Sequence, residues 1–220
     1  RRGRAGYRQF EVDLHDGRWM LLTQTVHSSG WLLEIGVDVS DLGREHRELR
    51  IARDLALRAS QIDPLTGIGN RAFVLGRLGE ALLAARGEER PCVALIDLDH
   101  FKRVNDWMGH AAGDQVLCHF AEGLQASLRR SDACGRIGGE EFLLVLAGVD
   151  LTLAEKIVNR VLDQVRAARP LPDRPGFAYT ASAGVVRALP DERAEDVMAR
   201  ADAALYQAKD RGRDRCVRAD

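Results

Sequence analysis

The chain has 220 residues, with 32 lysines and arginines against 33 aspartates and glutamates, so its formal net charge is −1. So even a balance provides no overall basic field, which argues against a nucleic-acid polymer or an anionic membrane as a partner. No apolar run reaches the ~20 residues of a membrane span, and the first residues lack the apolar core of a signal peptide. We therefore expect this fragment to make no membrane contact.

The four cysteines are widely scattered and form no Cys-x-x-Cys pair: Cys92, Cys118, Cys134 and Cys216. This spacing argues against a zinc site or a disulfide framework. It favours a reducing cytoplasm. We also allow that the chain is part of a larger multidomain or membrane-anchored sensor.

Residues 1–39 predict three strands, at 7–14, 19–26 and 31–39, separated by turn residues. A three-stranded sheet is marginally stable by itself, so we expect it to pack on something or to be the remainder of a larger domain.

Residues 40–62 predict a helix that begins with a Ser-Asp start signal. Its apolar seam has spacings of seven, three, four and three and consists of Leu42, Leu49, Ala52, Ala56 and Ala59. Two interpretations stay open: the seam pairs with a second copy of the chain, or it packs on its own domain.

Residues 63–220 alternate helical and strand patterns, which predicts an α/β or α+β domain with a central sheet flanked by helices. The predicted helices are 71–85, 113–129, 154–168 and 195–209. The predicted strands are 92–98 and 177–186, with a hairpin over 135–146 that turns at Gly138 and Gly139. Sites in such folds lie at strand ends and turns.

Carboxylates follow directly on the continuous apolar strand at 92–98. Asp97 and Asp99 lie where this strand ends, and unpaired buried carboxylates are costly, so a cation should compensate them. Mg²⁺ suits the position because it is often held by one or two carboxylates plus substrate phosphates. The alternative is that one of the two aspartates caps the following helix.

A second cluster, residues 138–142, reads Gly-Gly-Glu-Glu-Phe between two apolar stretches. Paired glycines permit positive φ and a close approach of backbone to ligand, although a Gly-Gly turn is by itself an ordinary hairpin. Two adjacent glutamates on the turn are not needed for folding. Beside Asp97 they would form the other half of a metal site.

These residues resemble the signature of the GGDEF family of diguanylate cyclases, in its variant with Glu at the third position. Further matching segments run in the family's order: Asp63 to Gly67 with Asn70-Arg71, Asp97 to Asp106, Gly109-His110, Gly113-Asp114, Ala181 to Val185, Arg200 to Lys209 and Gly212-Arg213. The resemblance covers nearly everything after residue 62. It implies a mostly antiparallel sheet in a nucleotide-cyclase-like palm fold.

The resemblance also implies a role for each matching residue. Catalysis would involve Asp97, Lys102, Glu140 and Glu141, with metal held by Asp97, Glu140, Glu141 and the Leu98 carbonyl. The triphosphate would be held by Lys102, Lys209, Arg213 and the backbone at His100 and Phe101. The turn glycines Gly138 and Gly139 would also bind the substrate, through a base or a phosphate. Asn105 and Asp114 would read guanine. The implied cofactor is Mg²⁺ or Mn²⁺.

The implied reaction joins two GTP molecules into cyclic di-GMP and releases two pyrophosphates. The product is two-fold symmetric and each domain would hold one GTP, so a homodimer is implied, and we expect the helix at 40–62 to pair its two copies. The alternative is a non-catalytic GGDEF-like module that binds GTP or cyclic di-GMP as a receptor. The retained acids and glycines favour the enzyme.

Three further features complete the comparison with the family. Arg129 and Asp132 resemble the RxxD inhibitory site that binds product, whereas the simpler interpretation is a charge pair at a helix end. Asp214 stands where Asn is usual, and its negative charge is expected to weaken GTP binding. The strands of residues 1–39 resemble the closing strands of a PAS sensor domain, with too little of it present to indicate a sensor cofactor.

Overall fold

A computed structural model describes residues 6–15, 18–27, 29–40, 61–85 and 90–219. The chain divides into two compact units, Arg1–Ser60 and Gln61–Asp220. Within the described ranges, no helix combines the length and the apolar character required to cross a bilayer. The predicted helix at 40–62 falls almost entirely outside the described residues.

The first unit contains an antiparallel meander of β1 (Gly6–Asp13), β2 (Trp19–Val26) and β3 (Leu32–Asp38). The register pairs Phe10 with Leu22 and Thr23 with Ile35. The three predicted strands are thus confirmed to within two residues at each end. Every residue of β3 is exposed, including its apolar ones, so this sheet has little core of its own.

The second unit contains a six-stranded sheet and five helices within the described residues. Its strands are β4 (Gly69–Asn70), β5 (Cys92–Leu98), β6 (Ala133–Arg136), β7 (Glu141–Leu146), β8 (Ala181–Arg187) and β9 (Cys216–Ala219). Its helices are α1 (Arg71–Ala84), α2 (Phe101–Met108), α3 (His110–Ala126), α4 (Leu151–Ala167) and α5 (Ala194–Asp210). The spatial order is β4-β6-β7-β5-β8-β9, with only the two edge pairs parallel. The prediction of a mostly antiparallel sheet flanked by helices is confirmed.

Strand β5 lies in the middle of the sheet and is buried on both faces, which explains its uninterrupted apolar sequence. Ala94 and Ile96 belong to a core formed with α3 and α4, while Val93 and Leu95 belong to a second core formed with α1 and α5. Asp97 follows the alternation of Val93 and Leu95 and therefore points to the α5 side. The carboxyl group of Asp97 therefore lies at the end of the central strand β5, on the side that α5 covers.

Three predicted elements have a boundary that is wrong by three residues or more. The helix predicted over 154–168 begins at Leu151. The helix predicted over 113–129 begins at His110 and ends at Ala126, after a break at Gly109, whose φ is +83°. The strand predicted over 177–186 begins only at Ala181, because its partner β5 ends at Leu98, directly opposite, and leaves residues 177–180 no strand to pair with.

Candidate active site

The end of β5 and the glycine turn meet. Antiparallel pairing of β5 with β7 places Asp97 opposite Glu141, and the Leu98 amide donates to the Glu140 carbonyl over 3.2 Å. The Ile137 amide closes the turn by donating to the Glu141 carbonyl over 2.9 Å. Two segments more than 40 residues apart therefore bring their acidic side chains to one edge of the sheet.

These acids affect each other's ionisation. Asp97 is only 6% exposed, and Lys209 of α5 lies 2.8 Å from its carboxylate. Burial raises the pKa of Asp97, with Lys209 acting in the opposite direction. Burial also raises the pKa of Glu140, and repulsion by the Asp97 carboxylate adds to the effect. Mutual repulsion in a partly buried place is the electrostatic condition that a bound cation relieves.

Asp99 does not behave as predicted, because it neither caps the next helix nor lacks partners. Its carboxylate accepts hydrogen bonds from the hydroxyls of Thr180 and Ser182, each over 2.7 Å, and from the Asp214 amide over 3.1 Å. Helix α2 has His100 as its N-cap residue, with no capping side chain. Asp99 therefore ties the end of β5 to β8 and to the loop before β9.

The two turn glycines serve different purposes, and neither has the positive φ that the sequence suggested. A Cβ on Gly138 would collide with the Glu141 carboxylate, whereas a Cβ on Gly139 would meet nothing within 4 Å. Gly138 makes room for Glu141. Gly139 leaves open space over the backbone, where another molecule could approach.

The turn is held by residues that the motif alone did not single out. Arg136 donates to the Gly139 carbonyl over 2.7 and 3.1 Å, and it also reaches the Asp63 carboxylate at 3.3 Å. Arg71 donates to the Ile137 carbonyl over 3.2 Å. Asp63 and Arg71 lie in matching segments of the sequence, so their positions hinted at a role that only the structure defines.

Helices α2 and α3 bring the two predicted base-reading residues, Asn105 and Asp114, close together. The side chain of Asn105 lies against Gly113, where any Cβ would overlap it, and Asp114 is the next residue. Phe101 is buried beneath this contact, and Lys102 is exposed on the first turn of α2. His100 precedes the helix in a left-handed conformation, with φ +56°.

Asp214 lies beside Arg213 but is paired with a cation of its own. Arg166 of α4 donates to the Asp214 carboxylate over 2.8 Å and to its backbone carbonyl over 2.9 Å. Both Arg213 and Asp214 have positive φ, so the loop bends sharply here. The negative charge that Asp214 adds near the phosphate ligands therefore has a partner, and its effect on GTP binding stays a prediction.

Arg129 and Asp132 lie beyond the end of α3, not within it. Asp132 accepts a hydrogen bond from the Arg129 amide over 3.0 Å, and its own amide donates to the Arg129 carbonyl. Both residues line a groove of about 370 Å³ that also includes Phe73 and Arg130. Asp132 thus shapes the turn, while the Arg129 side chain borders a concave surface.

The donor set fits a hard divalent cation. Asp97, Glu140 and the carbonyl of Leu98 offer oxygen atoms, which Mg²⁺ and Mn²⁺ prefer. Within the described ranges, no three or more His, Cys, Asp or Glu side chains are gathered as a complete cage. A set of two acids fits an ion that takes its remaining ligands from phosphate and water.

Solved structures share this architecture, the palm-like α/β fold of GGDEF domains. The coiled coil and GGDEF domain of DgcB from Caulobacter crescentus, in complex with c-di-GMP, matches with a TM-score of 0.75 and 30% identity, covering 82% of this chain and 97% of that one. The active GGEEF domain of a diguanylate cyclase from Vibrio cholerae matches with a TM-score of 0.64 and 32% identity, covering 68% and 96%.

The family model for the GGDEF domain of diguanylate cyclases matches residues 60–215. Diguanylate cyclase DgcP of Pseudomonas aeruginosa is 40% identical over 77% of this chain and 25% of its own length. The probable diguanylate cyclase DgcT of Escherichia coli is 36% identical over 77% of this chain and 37% of its own length. This chain therefore belongs to the GGDEF family, and it spans between a quarter and somewhat over a third of these two relatives.

Proposed function

We propose that this chain is a metal-dependent diguanylate cyclase, which condenses two GTP molecules into cyclic di-GMP and two pyrophosphates. The observation that carries the proposal is the meeting of Asp97 with the Glu140–Glu141 turn at one edge of the sheet. Membership of the GGDEF family, and the named cyclases among its relatives, support the same activity.

In this proposal Asp97, Glu140 and the Leu98 carbonyl hold Mg²⁺ or Mn²⁺, with Glu141 beside them. A divalent ion there would supply positive charge to the phosphates as the bond to the leaving group breaks. The 3′-hydroxyl oxygen of one GTP would attack the α-phosphorus of the other, and pyrophosphate would leave with the bridging oxygen. The same attack by the second 3′-hydroxyl would close the ring and release the second pyrophosphate. Glu141, the first residue of β7, would assist at the metal or accept the hydroxyl proton.

The triphosphate would lie between α2 and α5. Lys209 already lies beside Asp97, and Arg213 is close enough to oppose the rise that burial causes in the pKa of that acid. Lys102 and the amides at His100 and Phe101 would approach from the start of α2, where a helix favours anions. The open space over Gly139 leaves room for the phosphates to approach the turn backbone.

Asn105 and Asp114 would recognise guanine. A carboxylate accepts from the N1–H and the exocyclic amine of guanine, groups that adenine does not present in that arrangement. Asp114→Ala should therefore loosen the choice of base more than it slows chemistry. Competition between GTP and ATP measures this, and an unchanged preference for GTP would remove Asp114 from the base-reading role.

The reaction needs two chains, because one domain holds one GTP and the product is two-fold symmetric. We place the pairing contact in the helix predicted at 40–62, which immediately precedes the catalytic unit. The chain would then work in the bacterial cytoplasm as part of a longer signalling protein.

The Arg129–Asp132 turn would bind cyclic di-GMP as an inhibitor. Arg129 borders a groove, and its planar guanidinium suits both phosphate and guanine. Arg129→Ala should relieve inhibition by cyclic di-GMP without lowering the initial velocity. An inhibition curve identical to that of the parent would leave the residue a purely structural one.

The second candidate function is a receptor that binds GTP or cyclic di-GMP without turnover. One experiment separates the two: the purified chain is incubated with GTP and Mg²⁺, and cyclic di-GMP and pyrophosphate are quantified. Glu140→Gln is the control, since it removes a charged metal ligand and keeps the shape of the side chain. Nucleotide binding without product, in the parent chain as in the variant, would support the receptor.

A further inference from the structure

A cavity of about 640 Å³ lies on the outer side of α2, away from the contact between Asn105 and Gly113. Its walls are α2 and the segment 174–180 that leads into β8. Of the residues proposed to hold the triphosphate, His100 lines the cavity but Lys209 and Arg213 do not, and the Arg129 groove shares no residue with it. Its volume falls in the range of sites for small molecules.

One wall of this cavity is aromatic. The rings of Phe177 and Tyr179 are nearly parallel, with an interplanar angle of 7° and centroids 6.3 Å apart. Tyr179 is held in place because its hydroxyl bonds to His119 over 3.2 Å. Across from them Trp107 is 70% exposed, although tryptophan normally buries most of its large apolar surface. The wall therefore offers flat, rigid surfaces for a planar group.

The cavity also carries positive charge. Arg103 and Arg174 both line it, and the Arg103 guanidinium lies 4.4 Å from the centre of the Trp107 ring. Asp99 is the one acidic residue among those that line it, and its carboxylate already accepts three hydrogen bonds. Two guanidiniums beside an apolar lining are complementary to an anion that also has an apolar part.

From this combination we propose that the cavity is a second ligand site, which binds a small planar aromatic anion. The ring system stacks in the apolar cleft between Trp107 and Phe177, and the acidic group pairs with Arg103 and Arg174. Uncharged molecules, whether as small as adenine or as large as a lipid, would not pair with the two arginines. The site should therefore prefer anions.

The site adjoins the start of α2. His100 and Thr180 line the cavity, and Thr180 is also a hydrogen-bond donor to Asp99 at the end of β5. A ligand that contacts these residues would therefore touch the segment that is proposed to hold the triphosphate. Its occupancy should therefore shift the apparent affinity for GTP, a consequence that rests on the proposed function.

The test uses 1-anilinonaphthalene-8-sulfonate, a fluorescent aromatic anion, titrated into the full chain by fluorescence and calorimetry. We expect saturable binding of one molecule to the cavity, weakened at least about tenfold by Trp107→Ala and by Arg174→Ala. Tyr206→Ala is the matched control, because Tyr206 is also 70% exposed on a helix but lies outside the cavity. Its binding should equal that of the parent.

N-phenyl-1-naphthylamine, the same ring system without the sulfonate, tests the charge and should bind at least about tenfold more weakly. Amide chemical shifts of residues 174–180 locate the bound probe independently of any variant. Equal affinity in the parent and both cavity variants, equal affinity for the neutral probe, or shift changes only elsewhere would each overturn the proposal. None of these measurements depends on cyclase activity, so failure here is separable from failure of the proposed function.

Discussion

Asp63 connects the beginning of the second unit, Gln61–Asp220, to the glycine turn. It accepts hydrogen bonds from the amide and hydroxyl of Thr66, over 2.9 and 2.7 Å, and pairs with Arg136, which in turn holds the Gly139 carbonyl. Burial alone would raise the pKa of Asp63, but the Thr66 hydrogen bonds and Arg136 lower it below the ordinary value. The carboxylate form is therefore the one that stabilises the fold.

Asp63→Asn should lower the free energy of unfolding by about 1–2 kcal/mol at pH 7. Because the folded pKa lies below the unfolded value of about 3.9, this contribution is complete well above that pH and is lost as pH falls through the folded pKa. Urea unfolding of parent and variant at pH 7, 4 and 3 measures the difference, and the gap should shrink only at the most acidic pH. Glu80→Gln, which removes an exposed pair with Arg77, is the control; a gap independent of pH would contradict the assignment.

Arg166 and Asp214 form an ion pair, and the effect of removing one partner depends on the charge that remains. Asp214→Asn should change the KM for GTP by less than about twofold. Arg166→Ala leaves the Asp214 charge without its partner beside Arg213 and should raise the KM up to about fivefold. The effect is limited because the pair is partly exposed to solvent. Steady-state kinetics of both variants and of the double variant give the coupling. A double variant no better than Arg166→Ala alone would show that the charge is not the cause.

At the scale of elements, the two glycines in the turn of residues 138–140 are required for different reasons. Gly138→Ala should lower kcat about tenfold, because its methyl group displaces the Glu141 carboxylate. Gly139→Ala should instead raise the KM for GTP, because its methyl group projects into the open space over the turn. Kinetics with thermal unfolding of both variants tests the division; identical changes in both constants would refute it.

The elements that local sequence predicted are those with strong local signals. The apolar run of β5 and the glycine turn before β7 were placed correctly, and their meeting followed from antiparallel pairing. Strands β4 and β9 were missed because they are only two and four residues long. β4 forms by pairing with Gly135 and β9 by pairing with Ala183, both distant in the sequence. Local patterns carry no record of such partners.

Within the site the same limit applies. That Asp97 and Glu140 lie near each other was predictable from the motifs. The partners of Asp99 were not, because Thr180 and Ser182 lie 81 and 83 residues away and nothing in their own neighbourhood marks them as donors to an acid. Arg136, 73 residues from Asp63, was overlooked for the same reason.

At the scale of the whole molecule, the proposed two-chain reaction requires that activity depends on concentration. Activity per chain should fall on dilution through the dimerisation constant, and Leu49→Glu, in the predicted seam of residues 40–62, should shift that fall to higher concentration. Specific activity from micromolar to nanomolar chain measures this, with sedimentation for the oligomeric state. Leu83→Glu, at an 83% exposed position of α1, is the control. Constant activity per chain would refute the two-chain requirement.

The burial of the thiols affects how the protein can be handled. Burial raises the pKa of Cys92 and Cys134 to about 11 and that of Cys216 to about 12, so these three contribute almost no thiolate at neutral pH. Burial also raises the pKa of Cys118, whose thiol donates to the Leu65 carbonyl over 3.2 Å, but the rise is smaller than for the other three. Cys118 lies one helical turn after Asp114. A maleimide dye should therefore attach there first, which places a fluorescent reporter beside the proposed guanine pocket without any engineered cysteine.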